Sequence, residues 1–302
     1  MIQTISAAKQ KTDSATYVIV TPIRDEAPYI GRTIASVLSQ TTLPSRWIVV
    51  DDGSTDGTSE ILDHAALRTE WITVVHRRNR GYRAAGSGVV DAFYAGYAAV
   101  DHDDWDFIVK LDGDLSFDAD YFEKSFTMFE ADAKLGIGGG TVCRLESGQL
   151  TVDSVGDPPF HVRGATKIYR RACWQHIAPL ATAPGWDTID EVKANLCGWR
   201  TRTFADLKLI QHKPTGAAEG NWRNWFKNGR ANYVTGYHPV FMLAKCVKRA
   251  RHKPLMLESM ALIAGFCSGY LKRLPRGASD DAIRYLRKQQ IRRLLLLPSI
   301  YE

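Results

Sequence analysis

The residues with the most evident chemistry are carboxylates placed just beyond apolar runs. FIVKL at Phe107–Leu111 leads into Asp112-Gly113-Asp114, WIVV at 47–50 into Asp51-Asp52-Gly53, and YVIVT at 17–21 into Pro22 and then Arg24-Asp25-Glu26. Two aspartates separated by one glycine at a strand end can present oxygens to a hard divalent cation held against phosphates. A polar turn ahead of a helix is the other reading of so short a pattern. The order of pieces along the chain has to decide between them.

The apolar runs at 17–21, 47–50, 71–75 and 107–111 predict strands. Between them, 28–40 places Ile30, Ile34, Val37 and Leu38 at helical spacing, Ser54, Thr55 and Asp56 are N-cap candidates for a helix through Leu62, and 86–100 reads as another helix. Strands alternating with helices imply an α/β fold, a mostly parallel central sheet flanked by helices on both faces. Such sheets bind ligands beyond the carboxyl ends of their strands, so the predicted site is a carboxylate-lined crevice. After residue 136 the pattern loosens. GIGGG at 136–140 begins a strand, Asp157-Pro158-Pro159 and Pro184-Gly185 mark loops, 188–196 is a short helix, 202–205 a strand, and from 221 the chain is helical, basic and amphipathic.

The segments VIVTPIRDEAPYIGRTIASVLSQT, WIVVDDGSTDGT, HRRNRGYRAAG and FIVKLDGD follow one another at the spacing of a known set. Together they resemble the nucleotide-sugar-binding half of family 2 glycosyltransferases with the Rossmann-like GT-A fold, over roughly residues 16–240. The resemblance implies that Asp52 recognises the uracil of the donor and that Thr21 and Glu26 lie in loops contacting the nucleoside. It also implies that Arg83 lies near base or diphosphate, that Asp112 approaches the ribose, and that Asp114 binds Mg²⁺ or Mn²⁺ bridging the diphosphate. A divalent ion and an arginine would neutralise the charge developing on a departing nucleoside diphosphate.

Transfer with inversion also needs a carboxylate to take the acceptor's proton. GWDTIDEVKANLCGWRT at 185–201 resembles the family's acidic base motif. The match favours Asp190 as base with Glu191 as alternative, and leaves Asp187 to cap the helix that follows. His212, in LIQHKPTG, stands where several GT-A enzymes complete the metal site with a histidine; a structural role is the other reading. Processive members carry Gln-x-x-Arg-Trp after the base, together with transmembrane helices. Asn221-Trp222-Arg223-Asn224-Trp225 only echoes that motif, which argues for one sugar per encounter. Trp222 and Trp225 either stack on an acceptor sugar or pack the sheet against the tail.

The chain has 302 residues, 45% apolar and 24% charged, the usage of a folded enzyme rather than of a disordered or fibrous chain. Five scattered cysteines without a C-x-x-C pair exclude a disulfide scaffold and a structural zinc site. The net charge of +6 conceals an asymmetry: 14 Lys and Arg against 22 Asp and Glu up to residue 150, and 25 against 11 thereafter. After residue 220 the count is 16 against 4. The apolar run LMLESMALIAGFCSGYL, flanked by CVKRARHKP and KRLPR, is short and polar for a membrane span. It suits either a helix lying on an anionic bilayer or a core helix with solvated cations. No helix-turn-helix, zinc finger or aromatic RNA-binding motif accompanies the charge, so nucleic acid is not an expected partner. The N-terminal MIQTISAAKQKTDSAT has no apolar core or cleavage site.

The expected organisation is a polar tail (1–15), a catalytic domain (16–240, with a nucleotide-sugar half to 135 and an acceptor half from 136) and a basic C-terminal helical extension (241–302). The expected activity is metal-dependent, inverting transfer of one sugar from a nucleotide-sugar, a UDP-sugar, to a glycan or lipid-linked acceptor, in surface polysaccharide synthesis on the cytoplasmic side. The rivals are a non-catalytic sugar-binding scaffold and a sugar-nucleotide pyrophosphorylase, whose Gly-rich loop VTPIRDEAPY does not supply.

Overall fold

The computed structural model describes residues 15–81, 87–101, 105–146, 148–153, 156–213, 221–249 and 256–302. The first part alternates as expected: β1 (Tyr17–Ile23), α1 (Ala27–Leu38), β2 (Arg46–Asp51), α2 (Thr58–Ala66), β3 (Ile72–His76), α3 (Ser87–Tyr97) and β4 (Phe107–Leu111). These four strands run parallel in the order β3-β2-β1-β4. Their side chains alternate between two cores. Ile19, Trp47, Val49 and Val109 pack with α1 and α2 residues Ile30, Val37 and Leu62, whereas Val18, Val20, Ile48 and Ile108 pack with Val90 and Phe93 of α3. Burial on both faces is why β1, β2 and β4 read as mostly apolar runs.

The continuation is β5 (Leu115–Phe117), α4 (Tyr121–Ala131), β6 (Leu135–Glu146), β7 (Gln149–Val152), β8 (Thr166–Arg170), α5 (Arg171–Ile177), α6 (Trp186–Leu196) and β9 (Arg200–Gln211). They extend the sheet as β4-β8-β6-β9-β5, with β7 beside β6. Here the sheet is mixed. β8 enters from a loop rather than a crossover helix and pairs antiparallel to β4 and β6, while β9 runs parallel to β6. β9 is far longer than the strand expected at 202–205, and its end pairs antiparallel with β5, Leu115 facing Gln211. That pairing brings Gln211, His212 and Lys213 to the Asp112–Asp114 turn.

The helices α7 (Asn221–Thr235), α8 (Pro239–Arg249), α9 (Leu257–Leu271) and α10 (Asp280–Leu294) close a third core with Val192 of α6, built from Tyr233, Val234, Met242, Cys246, Leu262, Phe266, Ala282 and Leu286. Trp225 packs against this core under the guanidinium of Arg249, 3.9 Å from its ring centre, whereas Trp222 is exposed.

Candidate active site

The ends of β1, β2 and β4 bring their carboxylates to one edge of the sheet. Asp51 is structural. Burial pushes its carboxyl up, but hydrogen bonds from the Ser54 N–H and hydroxyl and from Ser59 outweigh that and hold it below the usual range. Asp52 accepts from Arg77 at 2.9 Å and from Arg80. These two arginines, just after β3, are the cations found beside Asp52; Arg83 lies outside the described residues. Thr21 departs from expectation. It sits within β1 rather than in a loop, fully buried, its hydroxyl accepting the Trp47 indole N–H at 2.8 Å. The strand runs two residues further than the apolar run ended by Pro22 suggested, so this threonine faces the core.

Glu26 stands at the N-cap of α1, its N–H held by the Thr58 hydroxyl at 2.9 Å. One carboxylate oxygen accepts from Lys213 at 2.6 Å, and the other is buried with no hydrogen-bond partner among the described residues. Burial, reinforced by Asp114 and Asp112 against the pull of Lys213, pushes this carboxyl up to about 7. Asp114, 5% exposed, is pushed up to about 6 by burial and then by Asp112, and accepts from the Gln211 amide at 3.1 Å. The glycine between the two aspartates is dictated by space, since a Cβ on Gly113 would lie 2.5 Å from the Ile23 side chain. Asp112 is more open and is held by Lys110, which also donates to the Gly164 carbonyl and lies 5.7 Å from the Trp186 ring centre.

His212 reaches this turn through its backbone, its N–H donating to the Asp114 carbonyl at 2.9 Å. Its ring faces elsewhere. Arg32 is a donor only, so Nδ1 accepts from it at 2.7 Å and Nε2–H donates to the Ser116 hydroxyl at 2.8 Å. Burial and the Arg32 charge hold the imidazole below the usual histidine range. Ligation by His212 would require it to leave one of these partners. No group of three or more His, Cys, Asp or Glu is arranged around a metal position among the described residues. The donor chemistry nevertheless fits a hard divalent cation: two aspartates one residue apart and a buried glutamate oxygen without a partner.

The structure places both residues expected to supply the base inside the fold. Asp190 and Glu191 are 1% and 0% exposed, on the inward side of α6 with Ile189, Val192 and Ala194. Asp190 accepts from Lys167 at 2.7 Å, from the Tyr169 hydroxyl at 2.6 Å and from the Glu191 N–H at 2.7 Å. Glu191 accepts from His161 at 2.9 Å, from the Val162 N–H at 2.6 Å and from Lys167 at 2.9 Å. Burial disfavours the His161 cation, yet Glu191 beside it outweighs that and raises its pKa to about 9. Two cations and two carboxylates thus form a closed network, with His161 as its part-exposed member.

Asp187 is the one carboxylate of this segment that is not fully buried. It does not cap α6; Gly185 is the N-cap, without a side-chain cap bond, and Asp187 lies in the first turn, partly exposed. Its backbone carbonyl accepts from Lys167. A Cβ on Gly164 would sit 3.3 Å from its Oδ2 and 3.0 Å from Trp186. Lys110 donates both to the Gly164 carbonyl and to Asp112, so Gly164 lies between Asp187 and the Asp112 turn. Burial pushes its carboxyl up, but the charges of His161, Lys167 and Arg163 outweigh this and keep it below the usual range. A groove of about 790 Å³ lies elsewhere, lined by Leu135, Phe160, Arg200, Arg202, Lys288 and Arg292, and none of the candidate residues borders it.

Lys110, Lys167, His161, Arg77, Arg80 and Lys213 were not singled out by sequence reasoning. For the first two a signal was present: a lysine inside FIVKL and another inside TKIYR, since a cation in a buried strand requires an anionic partner.

The mixed sheet with its flanking helices is the GT-A fold. The chain belongs to glycosyl transferase family 2, whose sequence profile matches residues 18–170. Similar proteins include the glycosyltransferase GlyG of Streptococcus pneumoniae serotype 4, 33% identical over 88 residues, covering 28% of this chain and 29% of GlyG. Another is the uncharacterized glycosyltransferase EpsJ of Bacillus subtilis, 34% identical over 88 residues, covering 29% of this chain and 26% of EpsJ. The chain therefore matches under a third of these relatives' length. Among solved structures, the mannosyltransferase PcManGT of Pyrobaculum calidifontis, in complex with GDP-Man and Mn²⁺, superposes with a TM-score of 0.56 at 16% identity over 91% of this chain and 79% of that one. S. aureus TarS 1-349 in complex with UDP-GlcNAc gives 0.52 at 14% identity over 86% and 74%. These likenesses establish the fold.

Proposed function

We propose that the protein transfers a single sugar from a nucleotide-sugar, a UDP-sugar, to a hydroxyl of a glycan or lipid-linked acceptor, with inversion and with a divalent cation, in the building of a surface polysaccharide. The observation that carries the reading is the convergence of Glu26, Asp112 and Asp114 at one sheet edge with Asp187 across Gly164. The solved neighbours named above hold nucleotide-sugars, one of them with Mn²⁺, which supports the donor class.

Asp112 and Asp114 would hold Mg²⁺ or Mn²⁺, with Glu26 beside them; the ion supplies positive charge against the departing diphosphate. Asp52, oriented by Arg77 and Arg80, faces the base, and the two arginines add to the positive field. Asp187, ionised at neutral pH, takes the proton from the attacking acceptor hydroxyl. Lys110 fixes Asp112, and Lys167 fixes the first turn of α6 through the Asp187 carbonyl.

The test is calorimetric titration of UDP with and without Mn²⁺. Asp114→Ala should remove the Mn²⁺-dependent part of UDP affinity. Equal affinity in parent and variant under both conditions would sink the ligand role of Asp114.

A further inference from the structure

The helices α8 and α9 carry an apolar surface that the fold leaves uncovered. On α8, Val240, Leu243 and Val247 are 55%, 58% and 62% exposed at spacings of three and four residues, on the side away from the buried Met242 and Cys246. On α9, Leu257, Met260, Cys267 and Leu271 are exposed and fall on one stripe, while Leu262, Phe266 and Gly269 turn inward to α7. The two helices are joined side by side. The Ser259 hydroxyl donates to the Cys246 carbonyl at 2.8 Å, and Arg249 pairs with Glu258 at 3.1 Å. An α-helix apolar on every side is expected to be buried on every side, and α9 is buried on one side only.

The charges around this surface select its partner. Lys248, Lys272 and Arg273 are exposed at its margins. Glu258 is the one carboxylate on either helix, and Arg249 already neutralises it. A second copy of the chain docking face to face would set these cations against their own equivalents, because a two-fold interface brings the same patch together. A surface with fixed negative charge and an apolar interior meets both demands. With 15 residues, α9 is about 22 Å long, less than the roughly 30 Å of a bilayer's hydrocarbon core. No helix among the described residues is long and apolar enough to cross a membrane. We infer that α8 and α9 dock the protein on an anionic lipid bilayer, lying in the headgroup region with Leu243, Val247, Met260 and Leu271 inserted and Lys248, Lys272 and Arg273 on the lipid phosphates.

The experiment is cosedimentation of the full chain with vesicles of phosphatidylcholine alone or mixed with phosphatidylglycerol, alongside light scattering for oligomeric state. The parent should bind the anionic vesicles at low salt, bind phosphatidylcholine weakly, and be released as salt is raised. Val247→Glu with Met260→Glu should lower partitioning by about tenfold or more. Replacing Lys248, Lys272 and Arg273 with Gln should lower it by about fivefold per charge removed. Both sets lie on exposed positions, so thermal unfolding should match the parent and separates lost docking from lost folding. Absence of binding to anionic vesicles at low salt would overturn the inference, as would variants that fold and bind like the parent. A dimer that the glutamate variants dissociate, without vesicle binding by the parent, would reassign the face to self-association.

Discussion

At the scale of single residues, the carboxylates of α6 divide into the partly exposed Asp187 and the buried Asp190 and Glu191. Asp187→Asn removes an ionised, partly exposed acid beside Gly164; on the proposed mechanism it should lower turnover by about 10²-fold or more, as for a lost general base. UDP affinity and melting temperature should stay near the parent values. Asp190→Asn should do the reverse. It leaves the buried Lys167 short of one of its two anions, so the protein melts earlier, by several kcal/mol if the network breaks, while the folded fraction turns over near the parent rate. Paired kinetics and calorimetry on the two variants decide the assignment, and full loss of turnover in a stable Asp190→Asn protein would return the base role to Asp190. The strand-end acids were legible because an apolar run followed by aspartate marks where a strand stops. The division between Asp187 and Asp190 was not, because three acids within five residues look alike until the partners are known, and those partners, Lys167, Tyr169 and His161, come from other elements.

At the scale of elements, two packing devices invite tests. α7 and α9 cross with backbones in contact: a Cβ on Gly265 would lie 2.0 Å from the Phe226 carbonyl oxygen, and one on Gly229 2.1 Å from that of Leu262. No side-chain rotation relieves such a contact. Gly265→Ala should therefore separate the helices and cost about 2 kcal/mol or more, read in denaturant midpoints, whereas Ala at the open Gly31 of α1, with no atom near its would-be Cβ, serves as a control. The second device is the His161–Glu191 pair that ties the loop before β8 to α6. The folded pKa of His161, about 9, stands above its ordinary 6.5. The stabilisation from its proton is therefore complete below about pH 6.5 and is lost as pH rises through about 9, on the order of 3 kcal/mol in all. Melting temperature should fall across that window in the parent and much less in His161→Gln; an equal fall in both would remove the pair as its cause.

At the scale of the whole molecule, the chain's charge asymmetry takes on structural meaning. The acidic first half contains the strand-end carboxylates, and the 16 cations beyond residue 220 belong largely to the helices around the third core. The α/β alternation was readable through β4, since helices covering both faces of the sheet leave its strands mostly apolar. Of the later strands, β6 and β9 were readable in part, at 136–140 and 202–205, whereas β5, β7 and β8 were not, because β7 is largely exposed, β5 spans three residues, and β8 carries a lysine that only its buried partners explain. Burial, and then the mutual repulsion of Glu26, Asp112 and Asp114, raises the Glu26 and Asp114 carboxyls, so a cation bound there should stabilise the entire fold. Ligands that bind only the folded chain raise its stability by mass action, and a hundredfold excess over the dissociation constant corresponds to a rise of roughly 5 °C in a protein this size. UDP with Mn²⁺ should produce such a rise, UDP with a chelator much less, and Asp114→Ala should lose the Mn²⁺-dependent increment while keeping the remainder. If UDP with chelator stabilises as well as UDP with Mn²⁺, the nucleotide is held by Asp52 and its arginines without an ion, and the carboxylates at the end of β4 would need a different explanation.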